Sequence, residues 1–256
     1  MKPAPTFFHV PLERLTQKSL FLMLTEALSR PTQTLIATPN PEMLLAAYRR
    51  EEVRDALLRF HKRIPDGFGL SLLSLLTGQG SLNRFPGVDV FLDICRIAAN
   101  NKQHILLLGG WNGAGFRAKE VLEAAFPHLR VTVIEDMTIN YENGTWEQPD
   151  DLLERIAELR PDVLAVALGG AKEQKQERWI VEFAPTLPSV RIAIGVGGTL
   201  DMISGRRRRA PSLFRGLGIE WLWRLMRQPT RLPRIFNAVI VFPVCAIFDT
   251  MRTPKR

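Results

Sequence analysis

A glycine-rich turn is the first feature of the chain that points to chemistry. Residues 107–115 (LLGGWNGAG) follow a predicted strand and precede a predicted helix, an arrangement in which backbone N–H groups can approach a pyrophosphate. The spacing matches neither the dinucleotide GxGxxG motif nor the P-loop, and so favours a nucleotide-like diphosphate over NAD or ATP. A tight strand-to-helix connection without any ligand is an equally good interpretation of this motif alone.

Asp66 lies in a Pro-Asp-Gly sequence between two helical patterns. Asp-Gly turns are common for purely structural reasons, and this is the simpler interpretation. Two other segments share its polar, proline-containing character and are expected on loops: 38–42 (TPNPE) and 84–89 (RFPGVD). A further segment, 175–179 (KQERW), reads as a solvated helix start with Trp179 packed inward. The presence of these other polar segments in the same chain favours a functional role for Asp66.

No metal site is expected. The four histidines are scattered without ligand spacing, and the chain has no HExxH and no DxD sequence. A GxSxG nucleophile elbow is absent as well.

These segments need secondary structure that brings them together. Over the first 200 or so residues, helical patterns alternate with short apolar runs such as His104–Leu108, Val163–Leu168 and Arg191–Val196. This alternation predicts an α/β fold with a mostly parallel, Rossmann-like sheet flanked by helices. Ligands of such sheets bind beyond the carboxyl ends of the strands, so the segments to inspect are 38–42, 109–115, 169–176 and 197–201.

The composition excludes several classes of protein. Hydrophobic residues make up 46% and charged residues 23% of the 256 residues, as in ordinary globular chains. The first twelve residues lack the pattern of a secretory signal, and the two cysteines form no CxxC pair. No apolar run reaches the ~20 residues that span a bilayer. Secreted, disulfide-rich and polytopic membrane proteins are therefore excluded.

The charge of the chain changes after Gly205. The net charge is +8, but residues 1–205 have a net charge of −2 and residues 206–256 one of +10. We therefore predict an α/β domain over 1–205 and a basic, partly apolar helical appendage over 206–256. The basic appendage indicates an anionic partner, which is a membrane surface, a phosphate ligand or a nucleic acid.

The appendage contains a charge-free run of 14 residues, 235–248 (IFNAVIVFPVCAIF), between Arg234 and Arg252. It is too short to span a bilayer but suits a helix lying in the membrane surface, where each flanking cation contributes on the order of 1 kcal/mol. A C-terminal helix docked on the protein's own core explains the run equally well.

Taken in order, these segments resemble the WecG/TagA/CpsF glycosyltransferase family. The resemblance extends from about residue 30 to residue 245; no single motif decides it, but the ordered set is specific. The matching segments are 38–42 (TPNPE), 65–67 (PDG), 84–89 (RFPGVD), 108–110 (LGG), 175–179 (KQERW), 195–198 (GVGG), 205–211 (GRRRRAP) and 217–225 (LGIEWLWRL).

The resemblance implies an inverting, metal-independent glycosyltransferase. It would move a sugar from a UDP-sugar to a polyprenyl-diphosphate-linked sugar in the assembly of cell-surface polysaccharide or teichoic acid. The implied donor sugars are N-acetylmannosamine, its uronic acid and glucose, and no cofactor is expected. Asp66 would be the base that deprotonates the acceptor hydroxyl. One carboxylate suffices because an inverting displacement needs a single base and a stabilised leaving diphosphate.

The resemblance also implies the other site residues. The residues that match the pocket wall are Thr38, Asn40, Arg84 and Gln176. Those expected near the nucleotide are Gly109, Gly110, Gly197 and Gly198. The tail arginines that would fold over the site and offset the diphosphate charge are Arg224, Arg231 and Arg234. The loop before Gln176 is longer than the family's and lacks its proline, so Gln174 is a rival for that position.

The family's tail also contacts the membrane, which agrees with the charge of the appendage. The protein is therefore expected in the cytoplasm, peripheral on the inner face of the bacterial cell membrane, with no nucleic-acid partner. Association into homo-oligomers stays open. One rival hypothesis is a nucleic-acid-binding protein that uses Arg206–Arg209; the interleaved apolar run and the lack of a recognition motif disfavour it. The other rival is a binding module that has lost catalysis, which the presence of Asp66 disfavours.

Overall fold

The main sheet has six parallel strands. From one edge to the other they are 62–63 (β4), 34–37 (β3), 192–195 (β10), 163–167 (β9), 104–109 (β5) and 130–134 (β6). The structure is a computed structural model that describes residues 4–135, 137–142, 145–169, 174–207, 209–211, 214, 218 and 220–252, without the side chains of 224, 251 and 252. The strands of the main sheet are β3 (Thr34–Ala37), β4 (Lys62–Arg63), β5 (His104–Gly109), β6 (Arg130–Ile134), β9 (Val163–Ala167) and β10 (Ile192–Gly195). Two antiparallel pairs are separate from it: β1 (Thr6–Phe7) with β2 (Val10–Pro11), and β7 (Asn140–Glu142) with β8 (Thr145–Glu147).

The parallel sheet confirms the predicted fold class. The central strands β5, β9 and β10 are buried along their whole length, as expected for a parallel sheet covered on both faces. Their side chains alternate between two apolar clusters, with Leu106 and Leu108 on one face and Ile105 and Leu107 on the other. Strands β1, β2, β4, β7 and β8 were not predicted, because two or three residues are too few to show a period of two.

Helices cover both faces of the sheet. On one side, α1 (Gln17–Ser29), α5 (Gly87–Asn100), α6 (Ala114–Ala125) and α9 (Thr199–Ile203) contribute to one apolar cluster. On the other side, α2 (Pro41–Arg49), α3 (Glu51–Leu58), α4 (Phe68–Leu76), α7 (Leu152–Leu159) and α8 (Lys175–Phe183) contribute to the second. Helix α10 (Glu220–Arg227) lies in the appendage.

The start of α2 shows how local sequence places the site. The Asn40 side chain accepts a hydrogen bond from the Met43 N–H at 3.0 Å, and Pro41 occupies the first turn. Asparagine as N-cap and proline at the first helical position are the pairing that helix N-termini prefer, and the sequence predicted both here. The helix therefore begins directly after strand β3, and it holds the loop 38–40 at the carboxyl end of that strand.

The chain ends in a long helix, Pro229–Thr250, which we call the C-terminal helix. Its Phe242 is fully buried, with the ring centroid 5.8 Å from that of Phe7 and 5.7 Å from that of Phe8. One turn on, Ala246 is buried in the same cluster. The helix is therefore docked on the protein's own core by one face. Its other face is exposed, as a helix in a membrane surface requires.

The length of this helix corrects one prediction from the sequence. It has 22 residues and a mean hydropathy of 1.6, so by length and composition it is long enough to cross a membrane. The prediction rested on the 14 charge-free residues alone, which are too few to span a bilayer. The helix begins before them, at Pro229, and continues through a π-helical segment, Asn237–Val241, that ends two residues before Pro243. A π turn is one way in which a helix accommodates a residue that lacks an N–H group.

Candidate active site

A cavity of about 800 Å³ opens at the carboxyl ends of the parallel strands. Four loops line it, and they are the four that the sheet topology indicated. The lining includes Thr38 and Asn40 after β3, Gly110 after β5, Gly169 after β9, and Gly197 with Gly198 after β10. The alternation of strands and helices in the sequence therefore predicted these four loops of the cavity wall.

The appendage forms another wall of the cavity. Six of its described arginines line it: Arg206, Arg207, Arg209, Arg227, Arg231 and Arg234. Both Nε and Nη2 of Arg234 contact Glu42 Oε2 on α2, at 2.8 and 2.7 Å. Arg209 is paired with Asp89 on α5 at 2.6 Å. These ion pairs hold the appendage against α2 and α5, so its arginines lie in the cavity wall.

Asp66 lines the cavity, and the first turn of α5 holds its carboxylate. The backbone N–H of Gly87, the first residue of α5, donates to Asp66 Oδ2 at 3.2 Å. The partial positive charge at a helix N-terminus stabilises a negative side chain there. A Cβ added at Gly87 would lie 3.0 Å from Thr38 Oγ1 and 3.7 Å from Asp66 Oδ2. Glycine at this position therefore lets Thr38, Asp66 and α5 come together.

Gln176 lies at the cavity wall with its amide orientation fixed. Its Oε1 accepts from the Gly197 N–H at 3.1 Å, and its Nε2 donates to Glu177 Oε1 at 2.6 Å. The amide and the carboxyl pack against Gly195, where an added Cβ would lie 2.7 Å from Gln176 Nε2 and 2.8 Å from Glu177 Oε1. Its rival Gln174 is buried and lines the same cavity. Both glutamines therefore line the cavity.

Glu177 is the site residue that the sequence missed. Its segment was interpreted as a solvated helix start. Trp179 is fully buried, as predicted, but Glu177 is also only 3% exposed, so that interpretation is wrong for this residue. Burial raises the pKa of its carboxyl to about 7, and its Oε2 has no hydrogen-bond partner among the described residues. Its position three residues before Ile180, on the buried side of an amphipathic helix, is the only signal that the sequence offered.

We expect Glu177→Gln to remove a pH dependence of stability. A carboxyl with a raised pKa keeps its proton in the folded protein between pH 4.5 and about 7, so its contribution to the free energy of unfolding is full below this window and is lost as the pH rises through it. The difference in Tm between Glu177→Gln and the wild type should therefore increase in favour of the variant from pH 5 to pH 8. Thermal unfolding at both pH values measures it.

The control for this experiment is Glu182→Gln, which changes an exposed carboxyl on the same helix that accepts a hydrogen bond from Trp146. Its Tm difference should be the same at both pH values. If the Glu177→Gln difference were equally independent of pH, the Glu177 carboxyl would not hold its proton in the folded protein.

N–H groups of the glycine-rich turn already bind a carboxylate of the protein itself. The N–H groups of Gly113 and Gly115, at the start of α6, donate to the two carboxylate oxygens of Glu135 at 2.5 and 3.0 Å. A carboxylate at a helix N-terminus takes the place that a phosphate would occupy. The prediction that these N–H groups approach a diphosphate is thus not what the structure shows, although Gly110, at the beginning of the turn, lines the cavity.

Three of the predicted site residues are not found in the described wall of the cavity. Arg84 and Gly109 are not among the described residues that line the cavity. Gly109 lies instead against β9, where an added Cβ would be 2.6 Å from the Ala167 carbonyl oxygen. Arg224 belongs to α10, but its side chain lies outside the described residues, as do residues 170–173 of the long loop before Gln174.

Of the Arg206–Arg209 cluster, Arg206 and Arg207 are exposed, but both have partners within the protein. Arg206 donates to the carbonyl oxygens of Trp111 and Asn112, and Arg207 lies 3.4 Å from Asp201. Within the same described residues, no group of three or more His, Cys, Asp or Glu side chains is placed to hold a metal ion.

The family described as the WecG/TagA/CpsF family of glycosyl transferases matches residues 5–256. The chain belongs to this family. The match spans nearly the whole chain, so it includes both the sheet domain and the appendage that together enclose the cavity.

Characterised relatives share most of the length of this glycosyltransferase. It is 30% identical to N-acetylglucosaminyldiphosphoundecaprenol N-acetyl-beta-D-mannosaminyltransferase of Bacillus subtilis (strain 168), over 79% of this chain and 75% of the relative. Proteins of the same description from Staphylococcus aureus (strain MRSA252) and Bacillus spizizenii are 29% and 28% identical, over 78% and 83% of this chain and 74% and 79% of theirs. The protein is therefore a hexosyltransferase.

Proposed function

We propose that this glycosyltransferase transfers a sugar from a UDP-sugar to a polyprenyl-diphosphate-linked sugar, with inversion and without a metal ion. The observation that carries this proposal is the position of Asp66, a carboxylate held by the N-terminus of α5 in the wall of a cavity lined by six arginines. The relatives named above act on N-acetylglucosaminyldiphosphoundecaprenol, so an acceptor of this class and N-acetylmannosamine as donor sugar are the first pair to test.

In the proposed reaction, the acceptor hydroxyl oxygen attacks the anomeric carbon of the donor. The bond between that carbon and the UDP oxygen breaks, UDP leaves with the electron pair, and the hydroxyl proton passes to the Asp66 carboxylate. The Gly87 N–H donates to Oδ2 of this carboxylate, so the base keeps a fixed orientation. A positioned base of this kind contributes 10²–10⁴-fold to the rate.

The departing diphosphate needs positive charge close by. Guanidinium groups offset developing charge on phosphates in a desolvated site and bind them through two N–H groups at once. The arginines of the appendage, Arg231 and Arg234 among them, line the same cavity as Asp66. We propose that they take the role that a divalent cation has in other nucleotide-sugar enzymes.

The proposal places the enzyme at the inner face of the cell membrane. Its acceptor carries a lipid that stays in the bilayer, while its donor is soluble. The exposed face of the C-terminal helix and the cations at its N-terminal end supply the apolar surface and the charge that peripheral membrane binding requires.

A UDP-release assay tests the proposed function. A panel of UDP-sugars, UDP-N-acetylmannosamine first, is incubated in detergent with polyprenyl-diphosphate-linked monosaccharides. We expect UDP release with one donor–acceptor pair and none without acceptor, and we expect EDTA to leave the rate unchanged. Release that requires an added divalent cation would contradict the metal-independent mechanism. No release with any pair would contradict the proposed substrate classes.

A further inference from the structure

Helix α4 is apolar on its outer face as well as on its inner face. Leu70 and Leu73 are buried in the core. The residues on the opposite side are also large and apolar, and all of them are exposed: Phe68, Leu72, Leu75 and Leu76. Their spacing of four, seven and eight residues from Phe68 places them in one stripe along the helix. A surface helix of a soluble protein carries polar residues on this side.

The segment around α4 is also free of charge. Residues 67–83 contain no Asp, Glu, Lys or Arg, and this is the longest charge-free stretch of the chain. Leu75 is 58% and Leu76 67% exposed, so the most solvent-accessible end of the helix is also among its most apolar parts. Large exposed apolar patches mark interaction sites.

The C-terminal helix packs beside α4 and extends this surface. Its exposed residues are again large and apolar: Phe236, Ile240, Val244, Ile247 and Phe248. The start of α4 also contacts the appendage outside this helix, because the Phe68 ring lies so close to Gly218 that a Cβ on this glycine would overlap it. The face that the C-terminal helix leaves uncovered thus continues onto α4.

The distribution of apolar and charged residues on this surface indicates what it binds. A protein partner is recognised by an apolar centre with a polar, hydrogen-bonding rim. Here one helix belongs to a 17-residue charge-free stretch and the other contains a 14-residue one, while the cations Arg231 and Arg234 lie at the cavity end of the C-terminal helix. An apolar face with cations at one boundary is the arrangement of a helix that enters the hydrocarbon of a bilayer and leaves its charges among the headgroups.

We propose that α4 and the C-terminal helix form one surface that docks into membrane lipid, and that α4 sets the distance between Asp66 and the bilayer. This inference rests on the proposed function, in which the acceptor lipid stays in the membrane. Asp66 is two residues before Phe68, the first residue of α4. Docking of α4 therefore keeps Asp66 close to the level in the membrane at which the diphosphate of a lipid-linked acceptor lies.

The full-length double variant Leu75→Glu/Leu76→Glu tests this surface. Both side chains are exposed, so the changes leave the core intact. Sedimentation with vesicles of phosphatidylcholine and phosphatidylglycerol in equal parts should show at least tenfold weaker partitioning than the wild type, because the variant carries two carboxylates where the wild type buries two leucines in hydrocarbon. Turnover on a short-chain, water-soluble acceptor should stay within about twofold of wild type.

The matched control is Leu58→Glu/Val121→Glu, which changes two apolar residues of similar exposure on α3 and α6. Its vesicle partitioning should equal that of the wild type. Unchanged partitioning of Leu75→Glu/Leu76→Glu would overturn the proposal. So would a wild-type dimer in lipid-free buffer that the same variant converts to a monomer, because the surface would then bind a second copy of the chain.

The two proposals fail in different ways. Weaker partitioning of Leu75→Glu/Leu76→Glu supports the membrane surface even if the wild type turns over no polyprenyl acceptor, in which case only the proposed function is contradicted. Normal turnover of the wild type together with unchanged partitioning of the variant contradicts the surface alone.

Discussion

Replacing Asp66 by asparagine is expected to lower kcat by 10²–10⁴-fold, the range that a positioned general base contributes. Asparagine keeps the shape of the side chain and an oxygen that can accept from the Gly87 N–H, which in the wild type lies 3.2 Å from Oδ2. It cannot take up the acceptor proton. The fold and the donor site should therefore persist, and UDP should bind with a Kd close to that of the wild type.

Steady-state UDP release gives kcat for this variant, and calorimetry gives its Kd for UDP. The matched control is Asp55→Asn, which changes an exposed aspartate on α3 that does not line the cavity. Its kcat should equal that of the wild type. If Asp66→Asn kept wild-type turnover, Asp66 would have no part in the mechanism. A parallel loss of UDP binding would show that the residue positions the donor instead.

The second large effect is expected for Arg231→Ala/Arg234→Ala. Each hydrogen bond to a charged group contributes about 1.5–3 kcal/mol, so loss of two guanidinium contacts with a diphosphate should lower kcat/KM by about 10² or more. Both residues lie on the surface of the appendage, in the cavity wall, and neither belongs to the core. The Tm of the variant should therefore stay close to that of the wild type.

Glu42→Gln separates the two roles that Arg234 has in the structure. This change weakens the 2.7 Å ion pair between α2 and the appendage but leaves the guanidinium in place. We expect a small effect on kcat/KM, because solvent-accessible ion pairs contribute at most about 1 kcal/mol. A loss as large as that of the double arginine variant would mean that Arg234 acts by docking the appendage and not by contacting substrate.

Point variants are needed here because the appendage cannot be removed cleanly. The predicted α/β domain over 1–205 implies that deletion after Gly205 would leave a folded body. Phe242 and Ala246 are, however, part of the same apolar cluster as Phe7 and Phe8, and Phe242 is fully buried against both rings. A truncated chain would expose this part of the core, so its loss of activity would not identify the role of the arginines.

The sequence by itself determined the features that depend on neighbouring residues. Fully apolar runs such as His104–Leu108 predict strands of a buried parallel sheet, because such strands are covered on both faces. The pair Asn40 and Pro41 predicts the start of α2, since the N-cap is a local hydrogen bond. The alternation of these elements located the four loops of the cavity. The charge change after Gly205 marked the segment that supplies the arginines.

Only the tertiary structure decided which polar groups are satisfied and which surfaces are covered. The Glu135 carboxylate accepts from the N–H of Gly113 at the N-terminus of α6, 22 residues earlier in the chain. Arg234 binds Glu42, which is 192 residues away in sequence. Glu177 is buried because α8 packs on β10, and the leucines of α4 stay exposed because no described element covers them. Helical and strand periodicity report on contacts within an element. The burial of a carboxyl, its pKa and the partner of a cation depend on contacts between elements far apart in the chain, which periodicity does not encode.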